Sequence, residues 1–191
     1  MTNLVMGVGI NDLQCKRDGK HDREYMLWHC ILTRCYGKNP SPRNSSYSDC
    51  EVSEDWKIYS NFKKDVSELV GYDQDGWHID KDILGCGRKL YSKNTCCFVP
   101  ADINCFFTYR RKTNTNGHIG VAHHKDAIKN PYVVTIHKNG KRTYFGRFSN
   151  PEEASFVYKK EKLNYLRELA ERYKDRLDER VYNTLISIDT I

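Results

Sequence analysis

Apolar residues recur at helical spacing twice in the first seventy positions. Tyr25, Trp28, Leu32 and Cys35 return every three or four residues, which predicts a helix over about 24–36 with all four on one face. Gly37 ends it, and the polar run 38–46, rich in Pro, Ser and Asn, reads as a loop. Glu51–Ser53 reads as a short extended piece. Trp56, Tyr59, Phe62 and Val66 form the stripe of a second helix, predicted from Ser53, a suitable N-cap, to about Leu69. Residues 71–76 read as a loop and His78–Ile83 as a short strand. Gly85–Gly87 gives a turn, Leu90–Tyr91 the returning strand, and Phe98–Pro100 leads into a third short helix through Asn104. Residues 1–20 carry turn signals at Gly7, Gly9 and Asn11-Asp12, the last a polar pair suited to a ligand, a nucleic-acid contact or an Asx turn.

The pattern changes period after residue 118. Ile119–Ala122 and the β-branched run Tyr132–His137 read as strands. Lys138-Asn-Gly-Lys141 is a hairpin-turn sequence, and Thr143–Phe148 is the third strand, with a bend expected at Gly146. Asn150 can cap a helix with Pro151 at its first position and Glu153 in its first turn. Phe156, Leu163, Leu166, Ala170, Tyr173 and Leu177 form its expected stripe, and the helix is expected to run to about Ile188. Its first half should pack on the sheet. Alternation assigns Val134 and Ile136 to that packed side and Val133, Thr135 and His137 to the open side. The fold class expected is α+β, in two modules, 1–109 and 118–191, joined by a basic linker at 110–117.

Charge singles out the second module. The 191 residues carry a net charge of +6. Residues 1–103 hold 14 Lys/Arg against 15 Asp/Glu, whereas 104–176 hold 16 against 7, a net +9. A near-neutral front and a basic back are the footprint of a phosphate-backbone binder. No apolar run approaches the roughly 18 residues that span a bilayer, and the N-terminus lacks a secretory pattern, so a cytoplasmic location and no membrane partner are expected. The eight cysteines include no Cys-x-x-Cys pair. They read mostly as buried small hydrophobes in a reducing cell; a structural Zn²⁺ site drawing on Cys30, Cys35, Cys50, Cys96 and Cys97 is the lesser alternative.

Two stretches of the chain each resemble a known family. Ile119-Gly-Val-Ala122, Pro131-Tyr-Val-Val-Thr-Ile136, Gly140-Lys-Arg-Thr-Tyr-Phe-Gly-Arg-Phe148 and Pro151-Glu-Glu-Ala154 with Tyr158 resemble the AP2-like DNA-binding module. The resemblance implies a three-stranded sheet packed on a helix, with the sheet entering double-stranded DNA. Gly7-Val-Gly-Ile-Asn-Asp12, Trp28 with Cys35-Tyr36, Tyr47 with Cys50 and Trp56, Ile79–Ile83, and Tyr91-Ser with Thr95-Cys96, Phe98-Val99 and Asn104 resemble phage-encoded HNH proteins related to homing endonucleases. That resemblance implies a ββα-type module and a Mg²⁺-dependent endonuclease. Asp80 takes the place of the metal-binding strand acid, Asn94 of the loop residue that orients the base, and Asn104 of the last metal ligand. Lys81 stands where the family has its general-base histidine, and Lys is a poor base at neutral pH unless burial lowers its pKa. His78, two residues before Asp80, is the substitute within reach on a strand.

The expected function is DNA binding by a phage protein of HNH ancestry, either cutting or catalytically degenerate. The expected DNA contacts are Arg110 and Arg111 in the linker, His123, His124 and Lys125 after the first strand, and Thr135, His137, Arg142, Tyr144 and Arg147 on the sheet. The rival reading is a non-catalytic phage protein that inhibits a host enzyme or defence system.

Overall fold

In a computed structural model describing residues 4–17, 19–37, 49–108 and 117–190, the fold is α+β. The chain divides into two compact units, Met1–Val99 with Arg176–Val181, and Pro100–Asp175 with Tyr182–Ile191. The expected linker at 110–117 falls inside the second unit, and residues 110–116 lie outside those described.

The first unit begins with a small antiparallel pair unforeseen in the sequence, β1 (Lys16–Arg17) and β2 (Lys20–His21). Helix α1 (Arg23–Tyr36) buries Trp28, Ile31 and Leu32, and β3 (Glu51–Val52) is held to it by the Val52 N–H donating to the Tyr36 hydroxyl at 2.9 Å. The predicted second helix is broken. A 3-10 turn, Asp55–Lys57, precedes α2 (Tyr59–Glu68), and Ile58 between them is extended. The break has a pairing partner: the Ile10 N–H donates to Lys57 O at 2.8 Å, and the Tyr59 N–H donates back to Ile10 O at 2.9 Å. The stripe itself is as expected, with Trp56, Tyr59, Phe62 and Val66 buried. Trp28 Nε1 donates to Trp56 O at 2.7 Å, which fastens α1 to the turn.

Strand β4 (Trp77–Asp80) does not pair with the expected return strand. β5 (Leu90–Tyr91) lies parallel to β3, and the partner of β4 is β6 (Cys97–Pro100). Between β4 and β6 the chain therefore makes an excursion through β5 rather than a simple loop. Tyr91, Thr95, Cys96, Cys97, Phe98 and Val99 are all buried in that region. The last part of this unit comes from far along the sequence. In Arg176–Val181, the Arg176 guanidinium lies 5.3 Å from the Trp77 ring, and Leu177 and Val181 are buried.

The second unit opens with α3 (Ala101–Thr108). It then forms an antiparallel sheet, β7 (Val121–His123), β8 (Tyr132–Lys138) and β9 (Lys141–Phe148), in the order β7-β8-β9. Asn139 and Gly140 both take positive φ, 54° and 72°, as the two-residue hairpin turn requires. The expected irregularity at Gly146 is a bulge: Val134 pairs with Gly146 but Thr135 with Tyr144.

Helix α4 (Pro151–Tyr173) starts as the sequence predicts. Asn150 Oδ1 accepts the N–H groups of Glu152 at 2.7 Å and Glu153 at 3.2 Å, with Pro151 at the first turn. Its buried face differs from the expected stripe. Ala154, Tyr165, Leu166, Leu169 and Ala170 are buried, Val157 and Tyr158 pack on the sheet, and Phe156 is 68 % exposed. Two residues beyond Ala154 is about 200° around a helix, so Phe156 points away from the side that the small Ala154 occupies. The helix also ends sooner than expected. A 3-10 turn, Lys174–Arg176, separates it from α5 (Glu179–Ser187).

Candidate nucleic-acid interface

Register sets one face of the β7–β9 sheet. Val121 pairs with Val134, and both are buried with Ala154 beneath the helix. The opposite face carries the residues one position out of phase: Ala122 opposite Val133, Val133 opposite Arg147, Thr135 opposite Tyr144, and His137 opposite Arg142. The bulge keeps Tyr144 and Arg147 on the same side although they are three residues apart, an odd spacing that would otherwise put them on opposite faces. Arg142, Tyr144, Arg147 and His137 are exposed, and Thr135 is half-buried. Val133, expected on the open side, has the register of that side but is buried; on the central strand it has a neighbour on both flanks.

The face is ordered by its own bonds. Arg142 Nε donates to Thr135 Oγ1 at 3.1 Å across the two strands, which directs a guanidinium that still has most of its donors to offer. The turn is tied to the helix: the Asn139 N–H donates to the Tyr165 hydroxyl at 3.0 Å, and Arg172 Nη1 donates to Asn139 Oδ1 at 2.9 Å. Lys138 Nζ is held by Glu168 at 2.9 Å, so it serves the helix. Between Gly117 and Asn150 the sequence holds six Lys/Arg and one Asp, whereas residues 151–176 hold seven against six. The basic excess therefore belongs to the strands and their loops, not to the long helix.

His123, His124 and Lys125 are exposed but are not part of that face. His123 pairs with Tyr132 and stacks on its ring at 5.0 Å, one residue out of phase with Ala122. His124 and Lys125 begin the β7–β8 loop. Arg110 and Arg111 lie outside the described residues.

His78 is exposed on β4, Asn94 is exposed in the turn after Ser92, and Asn104 is half-buried on α3 in the second unit. Asp80 is buried. Its Oδ1 accepts the N–H groups of Asp82 at 2.8 Å and Ile83 at 2.9 Å, closing an Asx turn. Burial raises its pKa above the ordinary carboxylate range, against the two backbone bonds that lower it. Lys81 is buried too, with Nζ 2.6 Å from Asp82 Oδ1 and 5.7 Å from the Tyr91 ring centre, so its ammonium is already an ion-pair partner. A Mg²⁺ ion needs charged oxygens aimed at it. Asp80 is turned into its own backbone, and among the described residues no three His, Cys, Asp or Glu side chains group as metal donors. Of the two carboxylate oxygens of Asp80, Oδ1 is the one committed to the turn.

The Asx-turn role has a direct check. Asp80→Asn retains the acceptor and should fold normally, whereas Asp80→Ala leaves two N–H groups without it and should lose about 1–3 kcal/mol. Because the folded pKa is raised, the wild type is most stable with Asp80 protonated and loses that advantage as pH rises through the folded pKa. The Asn variant lacks this decline. Urea denaturation at acid and neutral pH reads both effects, and equal losses for the two variants would remove the turn as the explanation.

Other sequence candidates resolve differently. Asp12 Oδ1 accepts the Ser60 N–H at 2.9 Å and Oδ2 accepts the Ser60 hydroxyl at 2.6 Å, so Asp12 caps the start of α2 from 48 residues away. Those bonds lower its pKa. Cys15, Cys50, Cys96 and Cys97 are buried, Cys35 is half-buried, and Cys30, Cys86 and Cys105 are exposed. Burial pushes the Cys35 and Cys96 thiols up to about 12, so without a metal both are neutral at physiological pH. No helix among the described residues is long and apolar enough to cross a membrane. No family model, curated protein or solved structure matches this chain.

Proposed function

We propose that this is a DNA-binding protein of phage type, with an AP2-like sheet as its DNA-reading surface and an HNH-like first unit that does not cut. One observation carries the reading: Thr135, His137, Arg142, Tyr144 and Arg147 share the open face of the β8–β9 ribbon within the three-stranded sheet. A ribbon of this kind fits the DNA major groove. Arg142 to Arg147 spans roughly 16 Å at strand rise, the length of about five base pairs. Arginine supplies bidentate guanine contacts, and Tyr and Thr supply single hydrogen bonds or backbone contacts. The absence of cutting is supported by Asp80, turned into its own backbone, and by Lys81, paired with Asp82 where a base would be needed.

The test is fluorescence-anisotropy titration of duplex DNA across a salt series. Binding should fall steeply with salt. Arg142→Ala and Arg147→Ala should each weaken it by about 1–3 kcal/mol if they read bases, or reduce the salt slope by about one if they hold phosphates. Plasmid incubated with Mg²⁺ under binding conditions should stay supercoiled. No affinity at low salt, or full affinity in the Arg142/Arg147 double variant, would sink the reading.

A further inference from the structure

Ile128 is 99 % exposed, more than any other large apolar side chain among the described residues. Scattered exposed aliphatics are common, so exposure alone carries little. Its position is what matters. Ile128 sits in the β7–β8 loop, which leaves the sheet at the end where Val133 faces Arg147. The loop therefore extends from the Arg147 end of the ribbon described above, away from the Asn139-Gly140 turn.

The loop is closed by backbone bonds. The His124 N–H donates to Pro131 O at 2.8 Å, and the Ala127 N–H donates to His124 O at 3.1 Å. His123 and Tyr132 stack at its base. These contacts hold the tip in place. Lys125 and Lys129 flank Ile128 and are exposed, with Asp126 the one acid in the loop. Cations beside an apolar tip match what a DNA wedge needs: ammonium groups hold phosphates while the aliphatic group enters between bases. An apolar protein-binding patch would need more than one such side chain, and the other exposed loop residues around Ile128 are Lys125, Asp126, Lys129 and Asn130.

We propose that Ile128 is a wedge that enters a base step at the Arg147 end of the DNA footprint and kinks the duplex there. This rests on the DNA-binding reading above. The ligand class is double-stranded DNA with a flexible pyrimidine–purine step at that position, because such steps unstack most readily.

The test uses the full chain and a duplex of about 25 base pairs labelled at both ends, long enough to cover the footprint and report its bend. Energy transfer between the labels reads bending, and anisotropy reads affinity in the same samples. The wild type should raise energy transfer on binding, and more so with a TA step in place. Ile128→Ala should bind with the same salt slope and at most about tenfold lower affinity, yet lose most of the bend. Ile128→Phe should keep it. Lys125→Ala and Lys129→Ala should lower the salt slope while retaining the bend. Ile128 is fully exposed, so its replacement does not disturb folding. Binding with no bend, or an equal bend in Ile128→Ala, overturns the wedge but leaves DNA binding standing. Failure of the wild type to bind the duplex overturns both.

Discussion

Gly120→Ala should destabilise the second unit by about 3 kcal/mol, a large effect for one added methyl. Two penalties combine. Gly120 has φ of 74°, a left-handed conformation that costs an L-alanine roughly 1 kcal/mol or more. A Cβ at that position would stand 2.0 Å from the Tyr158 ring, and the ring is packed between β7 and α4. The ring must move, and overpacking of this kind costs about 1–3 kcal/mol. A double-mutant cycle separates the two. In a Tyr158→Ala background only the backbone term is left, so the cost of Gly120→Ala should fall to about 1 kcal/mol. Denaturation followed by far-ultraviolet circular dichroism gives all four free energies. Equal costs in both backgrounds would show that the ring is not the obstacle.

Val181→Asp should unfold the first unit or bring it near the threshold, with a loss above about 4 kcal/mol. Val181 is fully buried and belongs to that unit although 82 residues of sequence separate it from Val99. An ionised carboxylate there has no partner of its own to offset desolvation. Val181→Ala should cost about 2 kcal/mol, the transfer of two methylenes plus the cavity left behind. Tryptophan emission is a selective readout, since all three tryptophans, Trp28, Trp56 and Trp77, lie in the first unit. Val181→Asp should shift that emission to the red at lower urea than the wild type. An unshifted unfolding midpoint would mean that the Arg176–Val181 segment contributes nothing to the first unit's stability.

The sheet half of the fold was legible because its local signals agree. The Asn139-Gly140 turn, the β-branched run Val133–Ile136 and the Asn150 cap each specify one local structure, and together they fix register and so the exposed face. Gly146 announced a bend, and the bend proved to be the bulge that aligns Arg147 with Tyr144. The long helix was misphased because its sheet-facing position is the small Ala154, while the bulky Phe156 drew the stripe toward solvent. The first half was less legible because its pairings are distant. The break at Ile58 follows from Ile10, the parallel partner of Leu90–Tyr91 is Glu51–Val52, and Asp12 caps a helix 48 residues on. Residue-pattern reading has no access to such partners. Asp80 shows the same limit at the candidate site: its motif position does not disclose the turn in which Oδ1 accepts from Asp82 and Ile83.

The Arg176–Val181 segment also imposes an order on synthesis. A ribosome that has emitted residue 99 must add another 82 before the first unit has its last piece. At about 5–20 residues per second this takes about 4–16 seconds. During that interval Trp77, which later faces Arg176, and the surface that later covers Val181 are without their cover. The nascent first unit is then a natural client for chaperones, and stalling between residues 99 and 176 would leave it open to aggregation and proteolysis.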